Sequence, residues 1–186
     1  EKSVDFVVAQ EPANLVDTTM PEHWLPDVAN AAGGAAYYRP PRRVYDDRVG
    51  LPSIEMYRAL GQTLRAQGYS GMYHGYLLWP FSDREHTMLR ELAYPEATAR
   101  RTKRYILQPR EGVEGEPTTT PDRVLPVQLE AGKTVSVPIL VSDDIESAKA
   151  DGEMRRPILT IRYSFYCIED EIETRFNGRV LSHDEA

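Results

Sequence analysis

Cysteine is almost absent from this chain. Cys167 is the only one in 186 residues, so no intramolecular disulfide framework can form. It lies in the alternating apolar stretch "IRYSFYCIED", where the expected role is a small buried hydrophobe and not a reactive thiol. Long apolar runs are missing too. None approaches the roughly 20 residues of a spanning helix, and a membrane partner is not expected. Basic residues are the minority, 22 Lys and Arg against 29 Asp and Glu, for a formal net charge of −7. Nucleic acid is therefore not the expected partner, because phosphate binding needs a concentrated basic surface. Phenylalanine is scarce, with 4 Phe against 11 Tyr, so the aromatic supply is mostly amphipathic.

Several chemical signatures are also missing. "GQTLRAQG" lacks the Lys-Ser or Lys-Thr ending of a phosphate-binding loop, and "GYSGMYHG" runs into a strand instead of a helix. No G-x-S-x-G elbow for a nucleophilic serine is present. The four histidines, His23, His74, His86 and His183, are scattered without metal-ligand spacing, and "VSDDIESAKADGE" lacks the calcium-loop pattern. Neither a metal nor a cofactor is expected. The first residues, "EKSV", show no signal-peptide pattern, and the chain is expected to be a piece of a longer one.

What is present alternates strand and helix over the first 108 residues. "VDFVVAQ" (4–10) is a short, nearly continuous apolar run of the kind buried on both faces of a parallel sheet. "PEHWLPDVANAAGG" (21–34) places Trp24, Val28 and Ala32 at helical spacing before a Gly-Gly stop. "AAYYRPP" (35–41) is a second strand. Ser53 precedes "IEMYRALGQTLRAQG", whose Ile54, Tyr57, Leu60 and Leu64 form one stripe that Gly68 ends. "GMYHGYLL" (71–78) is a third strand. "DREHTMLREL" and "YPEATARRTKRYIL" are helical pieces separated at Pro95. This order predicts parallel strands joined by crossover helices.

Residues 109–123, within "QPREGVEGEPTTTPDR", read as a linker. Beyond it, 124–186 has β texture: "VLPVQLEAG", "KTVSVPILVSDD", "PILTIRYSFYCI" and "EIETRFNGRVL", with Asn177-Gly178 as a hairpin signal and "DIESAKADGEM" as a helical turn or loop. A small β-sandwich, short of some strands, is expected there.

The stretch "LRAQGYSGMYHGYLLWPF…LRELAYPEATARRTKRYIL", followed by the linker and "LPVQLEAGKTVSVPILVSDDIESA…LTIRYSF…DEIETRFNGRVL", resembles the C-terminal end of bacterial glycoside-hydrolase-like TIM-barrel proteins with an appended β-sandwich. The resemblance runs from about Val4 to Leu181. It implies an α/β plus all-β chain: the last three βα units of a partial TIM barrel over 1–108, then the sandwich. It also implies a secreted or periplasmic, carbohydrate-active protein whose ligand is an oligosaccharide or polysaccharide. Closing a barrel takes about eight strands, so three alone expose edges that invite self-association or an upstream barrel half.

In such a barrel the site lies at the C-terminal ends of the strands. Those positions are Gln10 and Glu11, then Tyr38 and Arg39, then Trp79, with Asp46 and Asp47 in a loop able to reach over the mouth. Glu11 is the candidate catalytic acid, base or sugar hydrogen-bond partner, although a solvated glutamate beginning a loop is the simpler reading of it. Glycosidic cleavage takes two carboxyl groups. The glycosidase barrels this chain resembles commonly draw them from the fourth and seventh strands, and "AAYYRP", the presumed seventh, has none. Trp79 is the candidate stacking platform for a sugar ring, and Arg39, Tyr38, Gln10, Asp46 and Asp47 are the candidate polar contacts. Tyr73 and Tyr76 are expected to pack in the core, and His74 to be a hydrogen-bonded core histidine. The basic run "ARRTKRY" is expected as a solvated helical face pairing with nearby Glu. The competing reading is a non-catalytic carbohydrate- or protein-binding or structural module.

Overall fold

The computed structural model describes residues 4–10, 24–40, 51–75, 77, 79–108, 125–165 and 167–182. The chain divides into two compact units, Glu1–Glu153 and Met154–Ala186. The stretch expected as a linker, 109–123, lies outside the described residues.

In the first unit, β1 (Phe6–Gln10), β2 (Ala35–Arg39) and β3 (Gly71–Met72) form a parallel sheet in the order β1-β2-β3. Helix α1 (Trp24–Ala31) joins β1 to β2, and α2 (Ile54–Ala66) joins β2 to β3. Both helices stop in the same way. Gly33 and Gly68 adopt φ of +73° and +88°, and the next residues, Gly34 and Tyr69, donate back to Ala29 O and Leu64 O. That is the Schellman closure, and the left-handed conformation explains why each stop falls on glycine.

Alternation along the strands sorts the sheet into two faces. Ala9, Ala36 and Tyr38 share one face and build the core with Ala29 of α1, Leu60 and Leu64 of α2, and Tyr69. Val7, Leu25 and Met72 pack against that cluster. Both crossover helices therefore cover the same face. Strand β3 lies close under α2, since a Cβ on Gly61 would sit 2.7 Å from Met72 Cε. The other face carries Phe6, Val8 and Gln10 in register with Ala35, Tyr37 and Arg39. Phe6 remains 54% exposed there, with its ring edge-on to Tyr37 at 5.8 Å. A strand buried on both faces was expected for residues 4–10, and β1 is buried on one.

Helix α1 also departs from its sequence pattern. Trp24 and Val28 point to solvent, and the buried side is Pro26 and Ala29. Small Ala29 suits the tight return into β2, where a Cβ on Gly34 would lie 3.4 Å from Ala29 O and 3.3 Å from Asp5 O. The stripe of α2 is oriented as its periodicity suggests, with Tyr57, Leu60 and Leu64 buried.

After β3 come α3 (Asp83–Leu92) and α4 (Pro95–Thr98). The run "ARRTKRY" is not helical beyond Thr98. Its cations are engaged with acidic groups around α5 (Ile145–Ala150): Arg100 with Asp151 and Glu153, and Lys103 with Asp143 at 2.9 Å. Lys103 is deeply buried, so the expected solvated face is here an internal clamp. The same segment meets α2, where Ser142 Oγ donates to Thr63 Oγ1 at 3.2 Å.

In the second unit, β4 (Arg175–Phe176) and β5 (Arg179–Val180) form an antiparallel hairpin across Asn177-Gly178, with φ of +48° and +81°. Those values suit a type I′ turn. Among the described residues of 125–182 this is the only paired sheet, and no sandwich is formed by them. Residues 157–163 form no regular strand, and Ile158, Phe165 and Ile168 are exposed. Cys167 is exposed as well, which corrects the expectation that it is buried. Among the described residues of this unit no second sheet turns one side of the segment inward.

Candidate functional site at the C-terminal ends of the strands

Parallel strands all end on one side of the sheet, and loops there meet over a common crevice. Gln10 is the last residue of β1 and Arg39 the last of β2, and they are register partners. Arg39 Nη1 donates to Gln10 Oε1 at 2.5 Å. Beyond β3 the pairing runs on by one residue, Tyr73 N–H donating to Tyr38 O at 2.8 Å. Tyr73 thus falls on the face of Tyr37 and Arg39 and is 49% exposed, which removes it from the core where it was expected. Gly75 fits between these two side chains. A Cβ there would lie 3.0 Å from Tyr73 Cε1 and 3.3 Å from Arg39 Nε, tighter than most real contacts. Gln10, Arg39, Tyr73 and Gly75 are thereby brought into one row across three strand ends. Strand alternation carried the signal for Tyr73 and Gly75, but only once their pairing partner was known.

Tyr38, read as a neighbour of Arg39 at this mouth, has no accessible surface. It packs in the core, edge-on to Tyr69 at 5.9 Å. Glu11, Asp46 and Asp47 lie outside the described residues, as does Tyr76.

The segment leaving β3 holds a second feature. Trp79 is 82% exposed. Its indole meets Phe81 edge-on at 5.2 Å, and Phe81 in turn meets His86 of α3 at 5.9 Å. The Trp79–Pro80 peptide is cis. Ser82 then starts α3: its N–H donates to Glu85 Oε2 at 3.0 Å, and its Oγ accepts from Arg84 N–H. The Ser82–Glu85 side-chain hydrogen bond holds the buried Glu85 carboxyl below the usual glutamate range, against the opposing pull of burial.

His74 lies toward α2, its ring 6.3 Å from that of Tyr57. It was expected to be hydrogen-bonded, yet its buried Nε2 has no partner. Burial pushes its imidazole below the ordinary histidine value. The starts of α2 and α3 also flank a depression of about 390 Å³ lined by Leu51, Pro52, Ser53, Ile54, Asp83, Arg84 and Thr87. Arg84 is committed there to Pro52 O and Glu85, which leaves the depression without a free charged donor.

Chemically, the described strand ends offer a guanidinium, an amide, a phenol and an indole. These groups bind and stack, and none is a carboxylate suited to acid or base work. Among the described residues no cluster of three or more His, Cys, Asp or Glu could hold a metal ion, and no helix is long and apolar enough to cross a membrane. No known family, curated protein or solved structure matches the chain, so its own geometry carries the functional reading.

Proposed function

We propose that the C-terminal ends of the three parallel strands form a carbohydrate-binding wall, with Trp79 as the stacking platform and Gln10 and Arg39 as polar contacts. The observation that carries this reading is the indole of Trp79, 82% exposed yet braced edge-on by Phe81. An exposed, oriented aromatic plane matches the apolar C–H face of a sugar ring, and a rigid one loses little entropy on binding. Binding is the part of the proposal on which the described residues bear, because the candidate carboxylates Glu11, Asp46 and Asp47 lie outside them. A glycoside hydrolase would need Glu11 and a second carboxyl group about 5 to 10 Å from it. Among the described residues the sheet face with Phe6 and Val8 carries no helix and the edges of β1 and β3 are unpaired, which supports self-association or the docking of further βα units.

The test is a thermal-shift screen with an oligosaccharide panel on the wild type and on Trp79→Ala. A ligand that binds only the folded chain raises the midpoint, by about 2.7 kcal/mol of stability at a hundred times its Kd. The expected result is a shift in the wild type that Trp79→Ala, still melting cooperatively, has lost. A cooperatively melting wild type that no saccharide shifts would rule the wall out in favour of a structural module.

A further inference from the structure

The charge of the ligand is the next question, and the surroundings of Arg39 answer it. We propose that the strand-end wall selects an anionic saccharide, one bearing carboxylates as uronates do, and that Arg39 is the residue that recognises it. This rests on the carbohydrate reading and sharpens it.

Four basic side chains among the described residues are at least half-buried: Arg39, Arg58, Arg84 and Lys103. Three have a carboxylate partner. Arg58 Nε meets Glu91 Oε2 at 2.6 Å, Arg84 meets Glu85 at 3.3 Å, and Lys103 meets Asp143 at 2.9 Å. Among the described residues Arg39 is the exception: its partner there is the neutral amide oxygen of Gln10. A guanidinium stays ionised at any ordinary pH, and removing it partly from water without a counter-charge is costly. The arrangement fits a counter-charge brought by the ligand.

The local geometry suits that role. Gln10 holds Nη1, and the missing side chain of Gly75 lets the backbone lie beside Nε. Gln10 takes one Nη1 proton, and the second Nη1 proton and those of Nη2 are the donors a ligand would use. A carboxylate can then accept from the fork in parallel, whereas a neutral hydroxyl accepts singly. The half-exposed ring of Tyr73 flanks the same point and gives a sugar an apolar edge to lie against.

The experiment is calorimetric titration of the full chain with an oligogalacturonate, a neutral cello-oligosaccharide of equal length, and citrate as a carboxylate without sugar. Wild type, Arg39→Gln, Arg39→Lys and Trp79→Ala are compared, each checked by circular dichroism. The expected result is that wild type binds the uronate at least about ten-fold more tightly than the neutral oligomer, the worth of one charged hydrogen bond. Arg39→Gln should remove that ratio while retaining the binding that depends on Trp79. Arg39→Lys should restore only part of it, because an ammonium cannot fork. Equal affinity for uronate and neutral oligomers in the wild type would overturn the anionic selectivity and leave the sugar wall standing. Citrate binding as tight as the uronate and indifferent to Trp79→Ala would overturn the saccharide reading itself, as would binding of neither oligomer. The uronate-to-neutral ratio is read on the wild type, so a poorly folding Arg39→Gln does not prevent the decision.

Discussion

His74 buries an imidazole nitrogen without a hydrogen-bond partner, beside the ring of Tyr57. Burial disfavours the imidazolium, so the folded chain binds that proton more weakly than the unfolded one, whose value is about 6.5. The sign follows: above about 6.5 His74 contributes no pH dependence, and stability falls as the pH drops from there through the lowered folded value. The melting midpoint should therefore begin to decline below pH about 6.5, before the carboxylates titrate. His74→Phe should flatten that limb, and because it replaces an unsatisfied polar atom with an apolar ring it should cost little at pH 8. An unchanged acid limb in His74→Phe would show that the imidazole is not responsible. The residue scale also limits what was readable in advance. That Trp79 stands exposed and Tyr38 does not depends on where the core lies, and adjacent Tyr38 and Arg39 could have exchanged roles without changing the strand pattern.

At the scale of the element, α3 depends on its start. Ser82 and Glu85 bond reciprocally, satisfying amide groups that the first turn leaves unpaired. Glu85→Ala should cost about 1 kcal/mol, read as a lower urea midpoint with unchanged slope. The hydrogen bond from Ser82 lowers the Glu85 carboxyl, so the stability it confers is present above about pH 4.5 and lost as the pH falls through the folded value. The deficit of Glu85→Ala should accordingly shrink in acid, and a deficit constant from pH 7 to pH 3 would argue against the cap. The helix was legible as "DREHTMLREL", but the Ser82–Glu85 pair that starts it was not singled out. The short extent of β3 was not legible. Its apolar run continues to Leu78, but among the described residues the last ladder contact with β2 is that of Tyr73 N–H, and Gly75 N–H turns back to Tyr73 O.

For the molecule as a whole, the division into units falls at Glu153 and Met154. Composition placed the break at the glycine- and proline-rich stretch near 109–123. Buried ion pairing joins the chain on its far side to the first unit: Lys103 depends on Asp143, and Tyr105, raised by burial first and by the Asp143 charge second, lies beside them. A chain ending at Glu153 should melt within a few degrees of the full one. A chain ending at Gln108 loses the Lys103–Asp143 pair and the contact of Ser142 with Thr63, and should melt several degrees lower. Equal midpoints for the two truncations would return the boundary to the linker.

Local chemistry determined what the sequence alone could determine here. Left-handed glycines end α1 and α2, a 3.6-residue stripe orients α2, Asn177-Gly178 makes the hairpin, and strand-helix alternation makes the first sheet parallel. Each of these is decided within a few residues by backbone sterics or side-chain period. Only the tertiary structure decided that Ala29 and not Val28 faces the sheet, that the face of Phe6 and Val8 stays uncovered, and that Gln10, Arg39 and Gly75 meet. A two-residue period names two sides of a strand but not which side the helices cover. The ends of β1, β2 and β3 come together only through hydrogen bonds between strands distant in sequence, and with them the Arg39 guanidinium and the Gln10 amide.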